Sequence, residues 1–106
     1  MNAVDLIQKK RDGRPLTENE IAWLIKSFTS GAIPDYQMAA MAMAVFFNGL
    51  EPAELVEWTR SMLHSGEVLD FSDISTPKVD KHSTGGVGDK VSIPLAPMVA
   101  ACGVSI

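Results

Sequence analysis

The chain has 106 residues, with 9 lysines and arginines against 13 aspartates and glutamates, for a formal net charge of −4. That balance lacks the basic surplus behind unspecific nucleic-acid binding, which argues against a DNA- or RNA-coating role while leaving room for a local basic pocket. At 46% apolar and 21% charged residues the composition is that of a packed globular chain, long enough for one small domain or for one small domain and a piece of another.

The single cysteine, Cys102, excludes an intrachain disulfide and a zinc site built on paired cysteines, and suits a reducing compartment. The first residues lack the basic start and apolar stretch of a secretory signal. The longest apolar run, residues 38–47, falls well short of the roughly 20 residues that span a bilayer. A soluble, cytoplasmic protein is expected.

Residues 1–66 read as helices separated by short punctuation. Ala3, Leu6 and Ile7 share a face of a first helix that Gly13 and Pro15 terminate. Thr17 followed by Glu20 has the spacing of a capping box, and Ile21, Leu24, Ile25 and Phe28 then recur as on an amphipathic helix that Gly31 ends. Pro34 and Asp35 open a third helix. With Met38, Met41, Met43, Val45, Phe46 and Phe47 among alanines it is apolar almost all round, so it belongs at the centre of its bundle or against a second subunit. Gly49 stops it, and Pro52 suits the first turn of a fourth helix carrying Leu55, Trp58, Thr59, Met62 and Leu63, with Gly66 as the next stop.

After Leu69 the composition shifts to Ser, Thr, Pro, Gly and β-branched residues. Residues 67–77 read as a linker or hinge. From there the grammar is strand (78–82), glycine turn (83–88), helix (89–101) and second strand (104–106), the start of a βαβ unit. Pro94 and Pro97 remove backbone donors and would delay, kink or split that helix. A parallel strand is normally buried on both faces, so the sequence reads as the N-terminal fragment of something larger. The expected fold class is α+β: an all-α helical domain (1–66), a linker (67–77) and the first elements of a truncated α/β domain (78–106).

The chemistry sits in residues 79–92. A glycine-rich turn between strand and helix can point successive N–H groups at an anion, with the helix N-terminus adding partial positive charge. Lys81 and Lys90 add full charges, and the hydroxyls of Ser83, Thr84 and Ser92 can donate to phosphate oxygens. Walker A spacing fails because Asp89 separates Gly88 from Lys90, and Gly85, Gly86 and Gly88 do not meet the dinucleotide-binding G-x-G-x-x-G. Glycines alone would equally serve a tight turn that binds nothing; two lysines and three hydroxyls around them favour an anion.

The uninterrupted run Asp80-Lys81-His82-Ser83-Thr84-Gly85-Gly86-Val87-Gly88-Asp89 resembles the signature of the thymidine phosphorylase and pyrimidine-nucleoside phosphorylase family. Residues 7–13 and 33–39 resemble that family's helical N-terminal domain. The resemblance implies phosphorolysis of a pyrimidine nucleoside, thymidine and phosphate giving thymine and 2-deoxyribose 1-phosphate, by a longer homodimeric enzyme whose helical domain carries much of the dimer contact. It assigns Lys81, Ser83 and Ser92 to phosphate, places Thr84, Gly85 and Gly86 around the same anion, and sets His82 beside the nucleoside as the catalytic group. Asp80 and Asp89 would orient the lysines or cap the turn. No cofactor is implied beyond phosphate as co-substrate. Some members carry a monovalent cation on backbone oxygens near the positions of Gly88 and Lys90, where the Lys90 charge would oppose it.

Two other readings stand beside this one. An anthranilate-type phosphoribosyltransferase also sets a Thr-Gly-Gly turn under a phosphate-bearing sugar, although His82-Ser83 argues against it; alternatively the fragment acts only as a helical dimerisation module. Elsewhere the plainer readings hold. His64 suits a helix C-terminus, the run Lys9, Lys10, Arg11 and Arg14 suits a solvated surface, and the Met38, Met41, Met43 and Phe46 cluster suits core or subunit interface. Trp23 and Trp58 should pack, and Cys102 reads as a buried structural thiol.

Overall fold

A computed structural model describes residues 1–82 and 90–106. The chain divides into two compact units, Met1–Leu69 and Asp70–Ile106.

The first unit is a bundle of four helices: α1 (Ala3–Arg11), α2 (Glu18–Thr29), α3 (Asp35–Asn48) and α4 (Pro52–Leu63). Each start has a local cause. The Asn2 side chain accepts from the Val4 N–H at 3.0 Å to cap α1. The capping box at α2 forms as its spacing predicts, Thr17 Oγ1 accepting from Glu20 N (3.3 Å) while Glu20 Oε2 accepts from Thr17 N (2.7 Å). Pro34 precedes α3, Pro52 occupies the first turn of α4, and a fixed φ with no donor to lose suits both places. Helix α1 packs on α3, and α2 on α4. Between them lie Leu6, Leu16, Ile21, Leu24, Ile25, Ile33 and Met41, with Trp23, Phe28, Met38 and Trp58 packed against that cluster. Burying each large aliphatic side chain contributes roughly 1.5–3 kcal/mol.

Two features of this unit depart from the sequence reading. Lys10 is not on a solvated face. It is buried and donates to both oxygens of Glu54 at 2.8 and 2.7 Å. Leu16 N and Glu51 N also donate to that carboxylate, each at 2.8 Å. Burial pushes the Glu54 carboxyl up, but the Leu16 N–H, the Lys10 ammonium and the Glu51 N–H together hold it below its ordinary value. Lys9 pairs with Glu20 at 2.7 Å in the same manner, more exposed. Secondly, α4 buries Glu54 and Glu57 and leaves Leu55, Met62 and Leu63 exposed. Glu57 is held by Ser61 Oγ (2.9 Å) and by Arg60 (3.2 Å). Helix α3 is central on one face only: Met41 and Ala44 are buried, whereas Met43, Phe46 and Phe47 are 51%, 77% and 73% exposed. His64 is the C-cap of α4, its backbone N–H donating to Arg60 O at 3.1 Å.

In the second unit an Asx-type turn opens the segment, Asp70 Oδ1 accepting from Ser72 N at 2.8 Å. Helix α5 (Ser92–Ala101) is its only helix among the described residues. It begins at Ser92 rather than near Asp89, with Pro94 in its first turn and Pro97 inside it. A first-turn proline loses no intrahelical bond, whereas Pro97 leaves one carbonyl without its usual donor. Gly103, at φ 84°, ends α5 in a conformation other residues reach only at a cost. The chain then returns beside residues 77–79: Val79 N donates to Ser105 O (2.9 Å), Ser105 N donates to Pro77 O (3.0 Å), and Thr76 and Ser105 share a hydroxyl bond of 2.6 Å.

This contact is a single parallel bridge between Lys78 and Ser105. No strand forms among the described residues, which corrects the expectation of strands at 78–82 and 104–106. The reason is company: one pair of hydrogen bonds, with no further neighbour among the described residues, makes a bridge rather than a ladder. Cys102, expected to be buried, is exposed, because it caps a helix that has no buried residue.

Candidate functional site

Among the residues singled out from the sequence, the structure brings Lys81 and Ser92 together: Lys81 Nζ donates to Ser92 Oγ. The bridge brings the chain back beside residues 77–79, two positions before Lys81, and Ser92 is the first residue of α5. The ammonium therefore lies against the start of a helix, where partial positive charge and first-turn N–H groups face outward. Pro94 removes one of those donors. Lys81 and Ser92 line a hollow of about 160 Å³ with Asp80, Leu95, Ala96 and Ile106. Ser92, Leu95 and Ala96 are spaced i, i+3, i+4 and so share one helix face. That pattern made the two apolar wall residues legible in the sequence, where they were overlooked in favour of charged and hydroxyl groups.

A second, more apolar hollow of about 350 Å³ is lined by Phe71, Ile74, Lys78, Val79, Asp80, Ser105 and Ile106. Lys78 Nζ is turned to the Ile74 carbonyl at 2.6 Å. Asp80 borders both hollows, within the surroundings of Lys81.

His82 is exposed next to the half-buried Lys81. Ser83, Thr84, Gly85, Gly86 and Asp89 lie outside the described residues. Of the two positions associated with a monovalent cation, Gly88 lies outside them too and Lys90 is exposed. Chemically, a cationic side chain, a hydroxyl and a helix start around a small open hollow suit a compact anion, whereas the Asp80 carboxylate on the same lining opposes one.

Residues 4–66 match the helical bundle domain of the glycosyl transferase family, and the chain belongs to that family. Along its length it is similar to a pyrimidine-nucleoside phosphorylase of Geobacillus stearothermophilus, at 55% identity over 106 residues, 100% of this chain and 24% of that protein. It is also similar to a thymidine phosphorylase of Mesorhizobium japonicum, 57% identical over 102 residues (96% of this chain, 23% of that protein). A thymidine phosphorylase of Mycobacterium tuberculosis is 48% identical over 105 residues (99% and 25%). The resemblance read from residues 80–89 is borne out by these relatives, and the chain spans about a quarter of their length.

Proposed function

We propose that the chain is the helical domain and first phosphate-holding segment of a pyrimidine-nucleoside phosphorylase, which as a whole enzyme takes thymidine and phosphate to thymine and 2-deoxyribose 1-phosphate. The observation that carries this reading is the identity of 55% extending over all 106 residues, the run at residues 80–89 included. The hydrogen bond between Lys81 and Ser92 supports it, since two residues eleven positions apart that should hold one anion meet around one hollow. Ser83, Thr84, Gly85 and Gly86 complete the anion's surroundings in this proposal.

In the reaction, a phosphate oxygen attacks C1′ of the sugar as the bond to the base breaks. The sugar becomes oxocarbenium-like and the base anionic. The protein's work is to fix phosphate beneath C1′ and to stabilise charge on the departing base. Lys81 and Ser92 serve the first task. His82 serves the second by hydrogen bonding or proton donation, for which an imidazole is suited near neutral pH. The enzyme works in the cytoplasm as a homodimer joined through the helical domain, in keeping with the exposed Met43, Phe46 and Phe47 of α3.

Phosphate-dependent release of thymine from thymidine by the whole enzyme tests the proposal. Magnesium-dependent turnover of phosphoribosyl pyrophosphate, with no thymine released, would replace it with the phosphoribosyltransferase reading.

A further inference from the structure

The sequence contains one Asn-Gly dipeptide, Asn48-Gly49, and the fold places it where the end of α3 meets the end of α1. The Asn48 side-chain amide donates to Arg11 O at 3.1 Å and to Ala44 O at 3.2 Å. It is thus a tie between two helix C-termini, each of which has carbonyls without intrahelical donors. Gly49 has φ 69° and its N–H donates to Val45 O at 2.7 Å.

We propose that Asn48 is a deamidation site held in check by the fold, and that its conversion undoes the tie between α1 and α3. In the reaction the Gly49 nitrogen, having lost its proton to solvent base, bonds to Cγ of Asn48. The bond from Cγ to Nδ2 breaks and ammonia leaves with a proton; water then opens the cyclic imide at either carbonyl to give aspartate or isoaspartate. Glycine at the following position leaves the attacking nitrogen unhindered. Three features of the folded chain oppose the step. A helical side chain leans toward the N-terminus of its helix, away from the nitrogen that follows it. The Gly49 N–H is engaged by Val45 O, and the amide that must leave is hydrogen-bonded twice. The reaction therefore waits on local opening of the last turn of α3.

The product is worse than a lost bond. A carboxylate at position 48 would face the Arg11 and Ala44 carbonyl oxygens to which its amide had donated, at the negative end of a helix. Arg11 and Asn48 also border a hollow of about 470 Å³ lined by Ile7, Ala40, Met43, Ala44 and Phe47, so its rim gains a negative charge.

The test is peptide mapping, with aspartate and isoaspartate resolved, after incubation of the chain at mildly alkaline pH in buffer and in concentrated urea. In urea, Asn48 should convert faster than Asn2 or Asn19. In buffer its conversion should be slower than in urea by about tenfold or more, which corresponds to ~1.4 kcal/mol of local opening. Equal rates in the two solvents, or an Asn48 no faster than Asn2 and Asn19 in urea, would overturn the proposal. A second measurement bears on the product: thermal midpoints should fall in the order wild type, Asn48→Ser, Asn48→Asp. An Asn48→Asp chain that melts with the wild type would remove the tie from the account.

Discussion

Glu54 is the residue on which most of the bundle's polar order converges, since α1, the turn before α2 and the start of α4 all donate to it. A buried ion pair alone is weak grounds for stability, because desolvation offsets most of the attraction. Here the carboxylate also satisfies the buried Leu16 N–H, so an apolar pair at positions 10 and 54 would leave that donor unpaired, at a cost of roughly 1–3 kcal/mol. Glu54→Gln keeps the shape but strips the charge from a buried lysine's partner, and should cost about 3–5 kcal/mol. Urea unfolding checks it, as a lower midpoint with an unchanged slope. The pH dependence has a definite sign. Because the Glu54 carboxyl is held below its ordinary value of 4.5, its contribution is present above that pH and fades as pH falls through the folded-state value. Wild type should therefore lose stability on acidification below pH 4.5, and Glu54→Gln should lose less, with Glu20, shifted in the same direction, leaving a residual slope.

The proposed site yields a second residue-scale prediction for the whole enzyme. Lys81→Ala should raise the phosphate KM strongly, since it removes a charge from the anion's holder. His82→Ala should lower kcat more than it affects phosphate KM, because its proposed task is the departing base. Steady-state kinetics with phosphate varied separates the two. A lysine variant with unchanged phosphate KM would remove Lys81 from the anion site.

At the scale of elements, α3 presents an exposed apolar surface in which Phe46 and Phe47 meet edge to face at 5.4 Å. Exposed aromatic clusters of this sort mark contact surfaces, and aromatic anchors dominate the energetics of such contacts. Phe47→Ser should shift the proposed dimer toward monomer by at least about tenfold in dissociation constant, equivalent to ~1.4 kcal/mol. Sedimentation velocity over a dilution series reads this directly, and a wild-type chain that is monomeric throughout would refute the contact.

The elements also show what sequence pattern can convey. All four bundle helices were legible, because their caps and stops are local: Thr17 with Glu20, Pro52, Gly31 and Gly49 act within a few residues of themselves. Lys10 and Glu54 were not. They are 44 positions apart, each looks like an ordinary surface charge, and only tertiary packing makes them partners. The inverted face of α4 was missed for the same reason, since Leu55, Met62 and Leu63 look more like core than Glu54 and Glu57 do. At the site, the pairing of Lys81 with Ser92 joins residues eleven positions apart, which no periodicity of the sequence conveys. The strands at 78–82 and 104–106 had suitable residues, but a strand is defined by its neighbours, and a β-branched run cannot supply them.

For the molecule as a whole, the decisive contrast lies between the two units. Every buried residue among those described belongs to the first, from Ala3 to Glu57, and none to residues 70–106. Stability against local opening follows buried apolar contact, so amides of α2, with Ile21, Leu24 and Ile25 inside, should exchange far more slowly than those of α5. Hydrogen exchange resolved by peptide tests this, and equal protection in the two helices would mean that α5 draws stability from contacts other than burial. The same contrast bears on catalysis. In the proposed reaction nucleophile and C1′ must be held to within a fraction of an ångström, and neither Lys81 nor Ser92 is buried. The chain spans about a quarter of its relatives, so the packing that would fix this segment, and the groups that grip sugar and base, are proposed to come from the remaining three quarters of such an enzyme. Residues 1–106 alone should then show negligible release of thymine from thymidine and phosphate while retaining the helical signature and cooperative melting of the bundle. Measured together by thymine assay and circular dichroism, a folded chain without turnover is the expected result, and phosphate-dependent turnover above background would mean that the segment around Lys81 and Ser92 is sufficient by itself.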